Sequence, residues 1–152
     1  MNKMKNPYSI FLLMLLCSFI AMYITMYLNT YQIDHVYFSL TRFYMSCLGI
    51  CAMAIIMFVF MRKMYQNKSK NIAIILGSIL LFTTALFLVR TQKPVNDVVY
   101  MKGMIPHHSI AILTSKRANI TDPEVRKLAD EIIEAQEREI AEMKAYIKRL
   151  EK

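Results

Sequence analysis

The sequence has no tryptophan and only three glycines, four prolines and three cysteines among its 152 residues. No glycine-rich phosphate loop and no Ser-His-Asp or Cys-His arrangement can be assembled from it, so we expect no enzyme. Acidic residues are almost missing from the first ninety positions, where Asp34 alone stands against eight Lys or Arg. Hydrophobic residues dominate this region and make up 56% of the chain. This composition is typical of a membrane protein.

Three long apolar runs are the strongest feature that is present. They contain 18 to 21 residues each, carry no charged side chain, and lie at Tyr8–Leu28, Phe43–Met61 and Ile72–Val89. An α-helix of that length crosses a hydrocarbon core of about 30 Å. The runs therefore predict an all-α fold whose first domain, residues 1–90, is a transmembrane region in contact with membrane lipid.

Lys and Arg residues beside the runs indicate the orientation. Lys3 and Lys5 precede the first run, and four basic residues between positions 62 and 70 follow the second. We expect a multi-pass protein of the bacterial cytoplasmic (inner) membrane, with its N-terminus in the cytoplasm and residues 91–152 outside. That second domain has eleven basic and ten acidic residues, a balance of +1, so the total charge of +8 does not indicate a nucleic-acid partner.

The second domain is predicted to be a helical hairpin. Pro94 can open its first helix, which reaches about residue 117 before the chain turns at 118–120. A second helix of about 28 residues follows, capped either by Thr121 together with Glu124 or by Asp122. Its apolar residues recur every three or four positions up to Leu150, which is typical of an amphipathic helix.

A hairpin of two helices covers only one side of each apolar stripe. We predict a homodimer in which two hairpins form a four-helix bundle. Packing of the hairpin on the loops between the spans is the alternative. Asp34 and His35, adjacent in the first of these loops, give weak evidence of an additional ligand near the hairpin.

The side chains best suited to bind a ligand lie in the run Met101-Lys102-Gly103-Met104-Ile105-Pro106-His107-His108. On a helix Met101, Met104 and His108 share a stripe, and His107 lies beside it. Thioether and imidazole groups together suit Cu(I) or Ag(I) better than Mg²⁺ or Ca²⁺. Methionines at helical spacing also fill hydrophobic cores, so spacing alone leaves a packing role open.

Three residues of the second helix, Gln136, Glu139 and Met143, have the same spacing and can face this stripe across the hairpin. Gln136 and Glu139 are expected to support the metal ligands. All three cysteines lie within the apolar runs, where we expect them to be packing residues, with a path for Cu(I) through the membrane as the alternative. They are Cys17, Cys47 and Cys51.

The tail resembles the bacterial family known as domain of unknown function three hundred and five. The matching residues are Asp97, Met101, the run Met104 to His108, Asp122 to Arg126, Gln136, Glu139 with Ile140, and Met143. The resemblance implies a ferritin-like four-helix architecture, related to periplasmic copper-binding proteins of the CopM type. It implies that the metal ligands are Met104, His107, His108 and Met143, with Met101 as an auxiliary. Members often carry a further methionine where this chain has Ala111 to Ser115.

Together these features predict a membrane-anchored extracytoplasmic protein that binds Cu(I), with Ag(I) as a second candidate, for metal tolerance or delivery. Copper-handling proteins of the cell envelope are the expected partners. Two alternatives stay open. The hairpin can be a protein-interaction or dimerisation module without metal, or the chain can be a subunit that transports metal through its spans.

Overall fold

The computed structural model describes residues 6–152, and within that range the fold is all-α. Two short 3-10 turns lie between helices, at Ile33–His35 and Arg62–Met64. Lys3 and Lys5, which contribute to the predicted orientation, lie outside the described residues. The α-helices are α1 Pro7–Thr25, α2 Leu40–Met61, α3 Lys68–Thr91, α4 Asp97–Arg117 and α5 Pro123–Leu150.

Helices α1, α2 and α3 confirm the prediction of three helices that are long and apolar enough to cross a membrane. The helices do not coincide with the apolar runs, because polar residues also form helical turns at their ends. Helix α3 begins at Lys68, four residues before the run, since the side chain of Asn67 accepts the N–H group of Lys70 and caps the helix there. Helix α1 ends at Thr25, three residues earlier than predicted.

The chain divides into two compact units. One holds the chain up to Ile24 together with Thr41–Pro94, and thus the apolar helices. The other holds Thr25–Leu40 and Val95–Lys152. The segment between α1 and α2 thus groups with the hairpin, and the two domains expected on either side of residue 90 stay a prediction.

Aromatic side chains organise one end of the first unit. The ring of Phe11, which is buried, lies 5.5 Å from that of Tyr65, and Tyr65 stacks on Phe58 at 5.6 Å. The Tyr8 hydroxyl donates to Asn71 Oδ1 at 2.8 Å. Each aromatic pair contributes about 0.5–1.5 kcal/mol beyond its buried area, so these contacts fix the ends of α1, α2 and α3 beside the basic loop.

Helix α4 begins later than predicted. It starts at Asp97, and the expectation of a start at Pro94 is wrong because Asn96 Oδ1 accepts the N–H group of Val99 at 2.9 Å and acts as the N-cap. Pro106 lies buried inside α4, and the helix continues beyond it.

Helix α5 confirms the prediction of 28 residues. Of the two caps that the sequence allows, the structure uses Asp122, whose carboxylate accepts the N–H groups of Glu124 and Val125, each at 2.9 Å. The two helices pack on each other through a shared apolar core. Its buried members are Met101, Ile105, Ile112, Ile140 and Ile147.

The segment Thr25–Leu40, which we call the strap, packs against the hairpin. Its residues Tyr31 and Tyr37 contact the hairpin core. Ser39 lies so near α4 that a Cβ atom on Gly103 would be 3.3 Å from Ser39 Oγ, and glycine permits this approach. The loop between α1 and α2 thus covers part of the hairpin within a single chain.

Candidate metal centre

His108 on α4 and Glu139 on α5 lie next to each other across the hairpin. His108 Nδ1 lies 3.3 Å from Glu139 Oε2. The imidazole side chain is only 13% exposed, and its Nδ1 atom makes no well-aligned hydrogen bond to any of residues 6–152. Buried polar atoms in proteins are nearly always hydrogen-bonded. This exception marks His108 as the centre of the candidate site.

The charge state of His108 follows from its surroundings. Burial lowers the pKa of its imidazole, the Glu139 carboxylate raises it, and the neighbouring His107 lowers it, with a net shift downward. Since an unperturbed histidine titrates near pH 6.5, His108 is neutral at physiological pH. A neutral imidazole has one nitrogen lone pair available for a metal ion.

The methionines Met104 and Met143 lie one helical turn from this contact. Met104 precedes His108 by four residues, and Met143 follows Glu139 by four, so each pair shares a face of its helix. Both methionines are half-buried. Among residues 6–152, no three His, Cys, Asp or Glu side chains are grouped closely enough to hold a metal ion. A metal ion beside His108 would therefore need the thioether groups as ligands.

Other predicted residues lie around this group. Met101 is 7% exposed and belongs to the hairpin core, so it acts as a packing residue in this conformation. His107 is exposed, and its ring centroid lies 6.2 Å from that of His108. Gln136 is half-buried on α5, three residues before Glu139. The assignments of Met101 and His107 as ligands, and of Gln136 as a supporting residue, stay predictions.

The strap and the candidate site lie on opposite flanks of the hairpin. On α4 the strap contacts Ser109 and Gly103, which are separated from Met104 by roughly 140° and 100° around the helix axis at 100° per residue. On α5 it contacts Lys144, which is separated from Glu139 by roughly 140°. The strap therefore leaves uncovered the side that carries the candidate ligands, which we call the open face.

Large apolar side chains of α5 are exposed on the open face. They occur both before and after Glu139 in the helix, so the polar site lies in the middle of an apolar stripe. This pattern is unusual for a solvated helix surface and typical of a surface that has a partner. The exposed residues are Val125, Leu128, Ile132, Tyr146 and Leu150.

The sequence analysis missed the polar contacts of the strap. The N–H group of Tyr31 donates to Ser109 Oγ at 2.7 Å, and His35 Nδ1 lies 3.0 Å from the same oxygen. Lys144 Nζ donates to Asp34 Oδ2 at 2.6 Å. His35 thus contacts the hairpin at Ser109, not at the candidate ligands. The sequence analysis had considered Asp34 and His35 only as an additional ligand near the hairpin.

The three cysteines do not form a centre of their own. Cys47 and Cys51 are buried on α2, whereas Cys17 on α1 is exposed, and all three are free thiols. They belong to no metal-binding group among the described residues. The pathway for metal through the spans stays an untested alternative.

Comparison with known proteins gives two matches. The family described as Domain of unknown function (DUF305) matches residues 88–152, which include the whole hairpin. An uncharacterized protein of Acanthamoeba polyphaga mimivirus is 37% identical to this chain over 142 residues, which are 91% of each sequence. No solved structure matches the chain significantly. The family match covers the candidate metal centre, and the viral relative is similar over nearly the full length.

Proposed function

Since residues 88–152 belong to the DUF305 family, we propose that this chain is a membrane-anchored protein that binds Cu(I) or Ag(I) outside the cytoplasm, for metal tolerance or delivery. The observation that carries the proposal is the buried Nδ1 atom of His108, which lies beside Glu139 without a hydrogen bond. Met104 and Met143 stand one turn away on the same open face.

The donor set fits a soft metal ion. Thioether sulfur and imidazole nitrogen are ligands that favour Cu(I) over the oxygen-preferring Mg²⁺ and Ca²⁺. Met104, His108 and Met143 would hold the ion, and His107 lies close enough to His108 to join them after a side-chain rotation. Glu139 orients the His108 ring, as carboxylates commonly do for metal-binding histidines.

Membrane anchoring is supported by α1, α2 and α3 and by the charges beside them. The basic residues at positions 62–70 favour a cytoplasmic location of the loop between α2 and α3. The strap and the hairpin would then both lie outside, after one and three crossings. Their packing on each other agrees with three crossings, because segments on opposite sides of a membrane cannot touch, and the basic loop alone indicates which side they occupy. A bacterial inner membrane is the location we propose.

We also propose a homodimer. A dimerisation module without metal is the second candidate function. The exposed stripe of α5 favours it, because the strap blocks the other flank and leaves the open face for a second copy. Two hairpins paired there would form a four-helix bundle with a ferritin-like arrangement, and each would bring its His108 site into the interface. Envelope proteins that deliver or receive copper are proposed as further partners.

Titration of the full chain with Cu(I) in detergent micelles, against a competing chelator, tests the metal proposal. His108→Ala and Met104→Leu are each expected to weaken binding by about tenfold or more, which corresponds to about 1.4 kcal/mol. Met64→Leu, an exposed methionine of the other unit, is the matched control and should bind as the wild type does.

Two outcomes contradict the assignment. Unchanged affinity in His108→Ala would remove that residue from the site. Failure of the wild-type chain to bind Cu(I) at all would leave the dimerisation module as the function. Met101→Leu separates its two roles, since a loss of affinity would mean that Met101 leaves the core to act as an auxiliary ligand.

A further inference from the structure

One buried serine of α4 holds the strap on the hairpin. Ser109 is fully buried. Its hydroxyl oxygen accepts the N–H group of Tyr31 at 2.7 Å and lies 3.0 Å from Nδ1 of His35. A serine hydroxyl offers one proton and two lone pairs. The two strap contacts therefore use most of its hydrogen-bonding capacity.

Among the strap residues, His35 is the one whose protonation should most affect docking on the hairpin. It is 6% exposed, and it lies at the edge of a cavity of about 340 Å³ between the strap, α4 and α5. The floor of this cavity includes the apolar Ile112 and Ile140. An imidazolium ion at this position would lose most of its hydration, and burying a charge without a partner is costly.

The charges around His35 do not compensate for that loss. Asp34 Oδ1 lies 3.8 Å from His35 Nε2, but the same carboxylate already accepts from Lys144 at 2.6 Å. Glu137 on α5 also faces His35, and it is already paired with Lys116 at 2.8 Å. The contact from α4, Ser109, is uncharged. Each nearby carboxylate is thus neutralised by a lysine.

The net effect on the imidazole has a clear direction. Burial first and the Lys144 ammonium second lower the pKa of His35, against smaller opposing effects of Asp34 and Glu137. The docked strap therefore binds a proton less readily than a released strap, whose histidine would titrate near pH 6.5. Docking is constant above that pH and weakens as the pH falls below it, by at most about tenfold per pH unit.

We propose that the strap is an acid-released latch, in which protonation of His35 detaches residues 25–40 from the groove between α4 and α5. At neutral pH the latch is closed and the hairpin is covered on that flank. In an acidic compartment it opens, and the apolar groove around Ile112 and Ile140 becomes accessible. The latch acts on the flank opposite to the candidate metal centre, so it does not depend on metal binding.

Hydrogen exchange of the full chain in lipid nanodiscs at pH 7.5 and pH 5.5, corrected for intrinsic exchange rates, tests the latch. The N–H group of Tyr31 donates to the Ser109 hydroxyl on α4, so its exchange reports on docking of the strap. We expect the protection of the Tyr31 amide to fall at the lower pH, by at most about tenfold, while helical amides within α5 keep theirs. Equal protection of the strap at both values would overturn the proposal.

Two variants identify the group that titrates. His35→Gln keeps a polar side chain without a titration, so its strap should show the same protection at both pH values, and a persistent pH response would exclude His35. If the strap of this variant docks poorly, Lys144→Gln provides the second test. It removes the positive charge that disfavours an imidazolium at His35 and frees Asp34 to pair with it, so the loss of Tyr31 protection between pH 7.5 and pH 5.5 should become smaller. Lys148→Gln on the same helix is the matched control, and a pH response that Lys144→Gln leaves unchanged or enlarges would overturn the latch.

Discussion

Replacing Ile112 with alanine tests the packing that distinguishes the covered flank of the hairpin from the open face. Ile112 is fully buried, belongs to the hairpin core and lines the groove under the strap. The substitution removes three carbon atoms, which costs about 2.4 kcal/mol at about 0.8 kcal/mol each. The cavity that remains adds to this cost. We therefore expect a loss of about 3 kcal/mol, within the range of about 2–5 kcal/mol found for such truncations.

Hydrogen exchange of the α4 and α5 amides in the full chain measures this loss. About 3 kcal/mol raises the open population of the second unit by roughly 150-fold. Leu128→Ala, measured at a protein concentration that keeps the chain monomeric, is the matched control. Leu128 is 56% exposed on the open face, so its truncation should cost less than about 1 kcal/mol. Equal losses at the two positions would refute the distinction between the two sides.

Three further predictions concern the site, the dimer and the helix start. Glu139→Gln should lower the pKa of His108 further, because it removes the carboxylate that raises this pKa, and an unchanged or raised NMR titration midpoint would contradict their contact. Ile132→Glu should convert the dimer to monomers in native mass spectrometry if the open face is the interface, and a persistent dimer would place the interface elsewhere. Asp122→Ala should cost about 1 kcal/mol of cap energy and raise exchange in the first turn of α5 alone, so a uniform increase along the helix would argue against a local cap.

The helices could be predicted from the sequence because their determinants are local. Apolar runs, capping residues and the three- and four-residue spacing act within one or two turns, and they gave the three long apolar helices and the length of α5. The differences occur at helix ends, where Asn67 and Asn96 accept backbone N–H groups and set the first turn. A single polar side chain decides such a boundary, and hydrophobic periodicity does not contain that information.

The candidate site could be predicted only in part. Equal spacing on both helices was enough to suggest that His108 and Glu139 face each other, and the structure brings them together. The same spacing put Met101 and Met104 on one stripe. A step of three residues rotates the side chain by roughly 60°, and this is enough to place Met101 in the core and Met104 beside it. Which of the two is buried depends on the partner helix.

Packing of the hairpin on a loop was left open as the alternative to a dimer, but the particular contacts of the strap could not be predicted, for a different reason. Its contacts join residues that are far apart in the chain, 78 positions for Tyr31 with Ser109 and 110 for Lys144 with Asp34. A pattern within a single segment carries no sign of such a pairing. The contacts of the tyrosines and the histidine of the loop are defined only when α4 and α5 are in place.

This separation has a consequence for biosynthesis. His35 leaves the ribosome 74 residues before the serine that receives it. At about 5–20 residues per second, the wait is roughly 4–15 s, during which α2 and α3 are still being made. The strap must stay undocked for that time with its apolar side chains unpaired, and the second unit can close only after the hairpin is complete. Docking of the strap is therefore expected to occur late, after translation. In a chain truncated within α5, the strap should remain undocked.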